Sequence, residues 1–306
     1  MVPARAWLEA FDSGDSAMDN DALMKRQIPG FDVPAGDADL ILYALAVGAS
    51  LDRAGHVNLG RVYEKGIRPL PTFYTLAAWK QPGWLFDLGV VREGLVHVRE
   101  VLEVHRALTP GTTLRVEPRL IEAANLDAGK GVAISSGTRI TDKADGALLA
   151  ETRSILLCRK NATIEGAPRA RKTERFGVPS GLPGEIVPWS VRADQAALYR
   201  LCGDFNPIHI DPRASAAIGF EEPLLHGLCT FGALCAAVED RSLVGRGKTV
   251  TELQADFLAP VFGGDQLEFR LFEGAQGLDF AASGRGDSTV MCGKMKLSAN
   301  SHSENC

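Results

Sequence analysis

Asp204, Asn206 and His209 place a carboxylate, a carboxamide and an imidazole close together in Gly203-Asp204-Phe205-Asn206-Pro207-Ile208-His209-Ile210-Asp211. Gly-Asp and Asn-Pro are turn signals, so the segment is expected to hold these groups near one another. An Asp and a His on one short turn can share a water molecule, one receiving a proton while the other supplies or orients one. Asn206 can bind that water through an amide that both donates and accepts, and it can also close an Asx-turn before Pro207. Asp211 precedes Pro212, an N-cap and N1 pairing that predicts a short helix toward Ile218. A second segment follows, His226-Gly227-Leu228-Cys229-Thr230-Phe231-Gly232. Gly227 is expected to open a helix, and a glycine there lets a ligand approach the backbone closely. His226 reads as a hydrogen-bonded structural group beside that helix start, with substrate contact as the accessory role. His209, Asp211 and His226 would make a two-histidine, one-carboxylate metal set. Their spacing matches no zinc signature, so no metal is expected.

The elements that must position these residues occur twice. Asp37-Ala38-Asp39-Leu40 onward echoes the segment from Asp194, and Pro69-Leu70-Pro71-Thr72-Phe73 echoes Leu224-Leu225-His226-Gly227-Leu228. Ala107 to Leu114 echoes Pro260 to Leu267. The shared order and near-common offset predict two copies of one unit. Each copy reads as a short helix, a loop, one long apolar helix and several strands. Thr72 is the expected N-cap of a buried helix over 73–80, and the second helix runs over about 227–239. Strands are expected over 95–108, 112–123, 131–141 and 150–159, then over 249–258, 266–272, 278–282 and 290–297. The stretch 161–188 is rich in Gly, Pro, Arg and Lys and reads as a linker. Residues 1–160 then form an N-terminal unit and 189–306 a C-terminal one. A long helix wrapped by an antiparallel sheet, made twice, is an α+β architecture.

The bulk composition narrows the function classes. A chain of 306 residues with 45% hydrophobic and 23% charged content can build a large core. The net charge of −5 argues against a nucleic-acid binder. The six cysteines show no CxxC or metal-ligand spacing, which points to a reducing compartment. No run approaches the ~18 apolar residues of a membrane span. Residues 1–20 carry no signal-peptide core, and Glu304-Asn305-Cys306 is not a Ser-Lys-Leu signal. These features favour a bacterial cytoplasm over a peroxisome.

Tyr199-Arg200-Leu201-Cys202-Gly203-Asp204-Phe205-Asn206-Pro207-Ile208-His209-Ile210-Asp211-Pro212 resembles the hydratase-2 motif of MaoC-like enzymes, as does His226 to Gly232. The first half is similar to the N-terminal half of the hydratase unit in peroxisomal multifunctional enzymes of type 2. Tyr43-Ala44-Leu45-Ala46-Val47-Gly48-Ala49 and Leu70-Pro71-Thr72-Phe73 carry that similarity. The resemblance implies a double hot-dog fold, with two antiparallel sheets each wrapping a long central helix. It also implies hydration of trans-2-enoyl-CoA to (R)-3-hydroxyacyl-CoA. Asp204 and His209 are the implied catalytic dyad, with Asn206 beside them. Gly227 is the implied oxyanion contact, facing the thioester oxygen that gains charge as water adds at C3 and a proton reaches C2. Glu64 in Val62-Tyr63-Glu64-Lys65-Gly66 matches an acidic position of the eukaryotic-type relatives and is an accessory candidate.

The first half has no counterpart of Asp204, Asn206 and His209. One active site per chain is therefore expected, with segments 43–51 and 73–84 lining a tunnel for a medium, long or bulky acyl group. Hydration needs no redox cofactor, and the expected assembly is a homodimer. Two other readings compete. One is a hot-dog thioesterase, which usually carries its carboxylate on the central helix. The other is a non-catalytic acyl-CoA binder, which needs no intact Asp204, Asn206 and His209 set.

Overall fold

The computed structural model describes residues 19–91, 94–171, 174–242 and 247–299. Both chain ends discussed above, residues 1–18 and Cys306, lie outside these ranges. Strand alternation is plain in the longer strands. Leu114 and Val116 face the core between half-buried Arg115 and exposed Glu117, and Leu267, Phe269 and Leu271 do the same farther on. The strands of the first half are β1 (Phe31–Pro34), β2 (Leu95–Val104), β3 (Thr113–Asn125), β4 (Val132–Asp142) and β5 (Leu148–Cys158). Those of the second are β6 (Glu185–Ser190), β7 (Lys248–Phe257), β8 (Gln266–Gly274), β9 (Gly277–Ser283) and β10 (Thr289–Ala299).

All pair antiparallel in the order β1-β3-β4-β5-β2-β7-β10-β9-β8-β6. Counted within each half, the order is the same: first, third, fourth, fifth, second. The sequence repeat is thus a repeat of topology. The expected two sheets are one continuous sheet, because β2 and β7 pair from Arg99 opposite Asp256 to Glu103 opposite Glu252.

Five helices matter for the site: α1 (Asp37–Ala46), α2 (Phe73–Ala78), α3 (Gln195–Arg200), α4 (Pro212–Ala216) and α5 (Gly227–Ala236). Every residue of α2 and all of α5 beyond Gly227 are buried. Burying a Phe such as Phe73 or Phe231, both fully inaccessible, contributes about 1.5–3 kcal/mol relative to leaving it in water. Helix α1 lies so close to α5 that a Cβ on Gly232 would stand 2.6 Å from the Tyr43 hydroxyl and 2.7 Å from a Val47 methyl. Only glycine permits that approach.

The eight expected strands are all present within a few residues. Short β1 and β6 were not expected, and β6 begins inside the stretch read as linker. The long first-half helix is cut short at Ala78, ahead of the breaker pair Pro82-Gly83. Thr72 precedes it in helical conformation without a side-chain capping bond, and its carbonyl instead accepts from the Thr75 hydroxyl at 2.7 Å. Helix α5 continues through a π-helical turn over Ala237–Arg241.

Two ion-pair clusters lock the halves together, one buried and one half-buried. Arg61 donates to Glu239 at 2.7 Å and Asp240 at 2.9 Å, with all three side chains 5% exposed or less. Arg99 on β2 meets Asp256 on β7 at 2.5 Å, and the Phe176 amide donates to the same carboxylate, so the connecting segment is pinned at the junction.

Candidate active site

Helix α3 ends where Gly203 takes a φ of +135°, a conformation that favours glycine, and the chain turns into the 204–211 segment. The turn is then closed by its own side chains. The Asp204 Oδ1 accepts from the Asn206 amide at 3.1 Å, and the Asn206 Oδ1 accepts from the Ile208 amide at 3.3 Å. Asn206 therefore forms the Asx-turn, capping a 3-10 turn over Pro207–His209. Asp211 caps α4 by accepting from the Arg213 amide at 2.9 Å, with Pro212 at the first helical position. Ser215 of α4 and the Leu224 amide both donate to the Ile208 carbonyl, which ties the segment to the strand-like approach to α5.

The imidazoles are fixed in orientation. His209 Nδ1 lies 2.8 Å from the Leu224 carbonyl, which can only accept, so Nδ1 carries hydrogen and Nε2 is left to act as base. His226 stacks on His209 with ring centroids 3.6 Å apart and planes 26° apart. Its Nε2 donates to the Asp204 carbonyl at 3.3 Å and stands 4.0 Å from the Asp204 carboxylate. Tyr199 of α3 packs against the His226 ring, with ring centroids 4.7 Å apart. Burial holds His209 below its ordinary value of 6.5, with the Asp204 carboxylate pulling the other way. Burial and then the neighbouring His209 hold His226 well below that value. Both rings are therefore neutral near pH 7.

Asp204, Asn206, His209, His226 and Gly227 all line one cavity of about 410 Å³. Gly227 is the first residue of α5, and the amides of a first helical turn have no intrahelical acceptor. The Phe257 ring packs over Gly227, 3.3 Å from where a Cβ would be. The cavity thus joins an acid/base pair to a helix N-terminus suited to a developing oxyanion.

Of the metal set considered from sequence, Asp211 is committed to its cap. Asp204, His209 and His226 do bring possible ligand atoms within 4.8 Å of one another. Yet the two rings are stacked, so their in-plane lone pairs run side by side and cannot converge on one ion at the ~2 Å that metal–nitrogen bonds require.

Glu64 lies apart, exposed after the Leu59–Val62 helical turn and not among the cavity-lining residues. The expected tunnel lining is corrected. None of residues 43–51 lines the cavity, and of 73–84 only Trp79 does, because those apolar side chains are spent on packing α1 and α2. The first half instead contributes the start of β2, including His97, and Leu156 and Arg159. Sequence reasoning missed His97 and Glu100. The available signal was Glu100, a charge on the inward face of β2 beside fully buried Leu102.

A double unit of helix and antiparallel sheet, with an Asp/His pair at the mouth of a buried helix, defines a hot-dog enzyme of the acyl-thioester type. Residues 177–284 match the MaoC like domain, and residues 35–160 match the MFE-2 hydratase 2 N-terminal domain. The chain is 30% identical over 287 residues to enoyl-CoA hydratase ChsH3 of Mycobacterium tuberculosis, covering 90% of this chain and 97% of that one. It is 28% identical over 275 residues to the peroxisomal enoyl-CoA hydratase 2 of Arabidopsis thaliana, covering 83% and 87%. A solved Mycobacterium tuberculosis protein with a double hot-dog fold superposes with a TM-score of 0.59 at 19% identity, over 92% of this chain and 98% of that one. The chain belongs to the MaoC-like, hydratase 2 family of double hot-dog proteins.

Proposed function

We infer that this chain is an enoyl-CoA hydratase 2, adding water to trans-2-enoyl-CoA to give (R)-3-hydroxyacyl-CoA, and running the dehydration in reverse. The observation that carries this is the shared cavity of Asp204, neutral His209 and the Gly227 helix start. A water held by the pair adds its oxygen to C3, leaving one proton on the pair. One proton passes from the pair to C2, so the pair ends as it began. Asn206 positions the water, and the α5 amides at Gly227 hold the thioester oxygen while it carries negative charge. His226 fixes His209 by stacking and Asp204 by its hydrogen bond.

The sequence of α5, Gly-Leu-Cys-Thr-Phe-Gly-Ala-Leu-Cys-Ala, offers no carboxylate to activate water at the thioester carbonyl. That favours hydration over thioester hydrolysis. Hydration moves no electrons, so the reading needs no redox cofactor. Among the described residues no helix is long and apolar enough to cross a membrane. The site of action is proposed to be a bacterial cytoplasm, with a peroxisome as the alternative, since the relatives include both a mycobacterial and a peroxisomal enzyme. A homodimer and a preference for acyl chains longer than four carbons complete the proposal.

The test is purified protein with a medium-chain trans-2-enoyl-CoA, following loss of the conjugated thioester absorbance. An (R)-specific and an (S)-specific dehydrogenase read the product. An (R)-product that vanishes in Asp204→Asn is expected. Release of free CoA would point to a thioesterase, and binding without turnover to an acyl-CoA carrier. A turnover preference for the four-carbon substrate would overturn the chain-length proposal.

A further inference from the structure

The cavity has a second polar feature, on the wall supplied by the first half. His97 on β2 sits between two aromatic rings, Trp79 at 5.2 Å and Phe257 at 5.1 Å between centroids. All three line the cavity, and Phe257 is the ring that packs over Gly227. Nε2 of His97 lies 2.9 Å from the Arg99 carbonyl and 3.0 Å from Glu100 Oε2. Both partners accept, so Nε2 carries hydrogen, and in the neutral ring Nδ1 keeps its lone pair. Glu100 is fully buried, and the Ser154 hydroxyl donates to the same Oε2 at 2.5 Å. Its second oxygen, Oε1, is buried with no hydrogen-bond partner. Burial pushes the Glu100 carboxyl up, with His97, Ser154 and Trp79 pulling it back.

A fully buried carboxylate such as Glu100 costs several kcal/mol of desolvation unless it is paired and hydrogen-bonded, and half-buried His97 is its partner on the cavity side. Mostly apolar pockets take their specificity from a few polar groups of this sort, placed to meet one polar group of the ligand. A carboxylate on the far nitrogen is also the arrangement that fixes an imidazole tautomer and strengthens the free nitrogen as an acceptor.

We propose that His97, held by Glu100 and Ser154, is a substrate-positioning residue whose Nδ1 accepts a hydrogen bond from a donor on the bound thioester. The proposal rests on the hydratase reading for the identity of that thioester. Two parts of such a molecule offer the required donor: an amide N–H of the pantetheine arm, or a hydroxyl on the acyl chain. His97 touches neither Asp204 nor His209, so it acts on binding rather than on proton transfer.

Calorimetric titration with octanoyl-CoA and with 8-hydroxyoctanoyl-CoA tests it without depending on turnover. His97→Phe keeps the ring packing and removes Nδ1. It is expected to weaken binding about three- to tenfold, the range for one lost hydrogen bond. Equal weakening of both ligands assigns the pantetheine amide, and weakening of the hydroxylated ligand alone assigns the acyl hydroxyl. His97→Gln, which restores an acceptor, should recover part of the loss, and Glu100→Gln should show a smaller one. If His97→Phe binds both ligands within about twofold of the parent, the proposal is overturned. It is equally overturned if His97→Gln binds no better than His97→Phe, which would mark the cluster as a junction pin only. Wild-type turnover of octenoyl-CoA, run alongside, reports on the hydratase reading separately.

Discussion

The two halves of this molecule share one strand order and differ in the turn that leads to the central helix. In the second half, a glycine-led turn carries Asp204, Asn206 and His209, and the helix beyond it runs ten residues from Gly227. In the first half, the turn after α1 carries no such set, Pro71 and Thr72 stand where His226 and Gly227 stand in the second, and α2 is six residues long. The sheet and the buried helix are what both copies need to fold. The turn that carries the candidate site occurs in only one of them. The first-half helices are committed to packing, and that half offers the cavity a wall. Both copies keep one strand order, which carries the core, while their turns differ.

That contrast can be broken most sharply at the second-half turn. Asp204→Asn and His209→Gln should each lower kcat by about 10²–10⁴-fold, as expected for removing a general acid/base group. Because the two act as a unit, the double variant should be little worse than either single one, which stopped-flow hydration would show. Arg61→Met tests the lock between halves. It leaves buried Glu239 without its cation and Asp240 with only Arg68 at 4.0 Å, and denaturant unfolding should register a loss of about 3–5 kcal/mol.

A pH series sharpens the same contrast, since the depressed imidazoles belong to the second half. Activity that depends on neutral His209 should hold above pH 6.5 and decline only on the acid side of that value. Stability should fall in the same direction. Below 6.5 the unfolded chain takes up protons that folded His209 and His226 refuse, so unfolding gains as pH drops. Thermal melts in matched buffers would check the sign. Asp211→Ala should cost about 0.5–2 kcal/mol by uncapping α4 while leaving kcat/KM nearly intact. The smallest effect is expected at exposed Glu64 in the first half. Glu64→Gln should leave kcat/KM within about twofold, as for ordinary surface substitutions, and a large loss would return a catalytic duty to that half.

Much of this architecture was legible in the sequence because the signals were local. Alternating side chains marked eight strands, and the Gly-Asp, Asn-Pro and Asp-Pro pairs marked the turns that hold the site. Asx-turn and cap at Asn206 and Asp211 follow from spacing alone, and the structure has both. What stayed hidden depends on distant partners. Strand β1 is four residues long and is defined by pairing with β3. Strand β6 sat in a segment whose Pro and Gly content resembles a connection, until β8 supplies its ladder. The merging of the sheets at β2 and β7 joins residues 157 positions apart, Arg99 and Asp256. The cavity wall was misread for a related reason. Apolar helices at 37–46 and 73–78 bury their faces whether or not a ligand is present, and their sequences do not separate the two uses. His97 becomes visible only once the fold sets it beside Phe257.

The strand order has a further consequence for how this protein behaves when concentrated. Joining two sheets through β2 and β7 leaves just two edges among the described strands, β1 and β6. Both are short, and each contains a proline, Pro34 in one and Pro188 in the other. A proline lacks the amide hydrogen that a further strand would need, and short edges give a template little length to grip. The molecule is thereby protected against edge-to-edge polymerisation, and self-association of the chain is steered away from strand addition toward contact between side-chain surfaces.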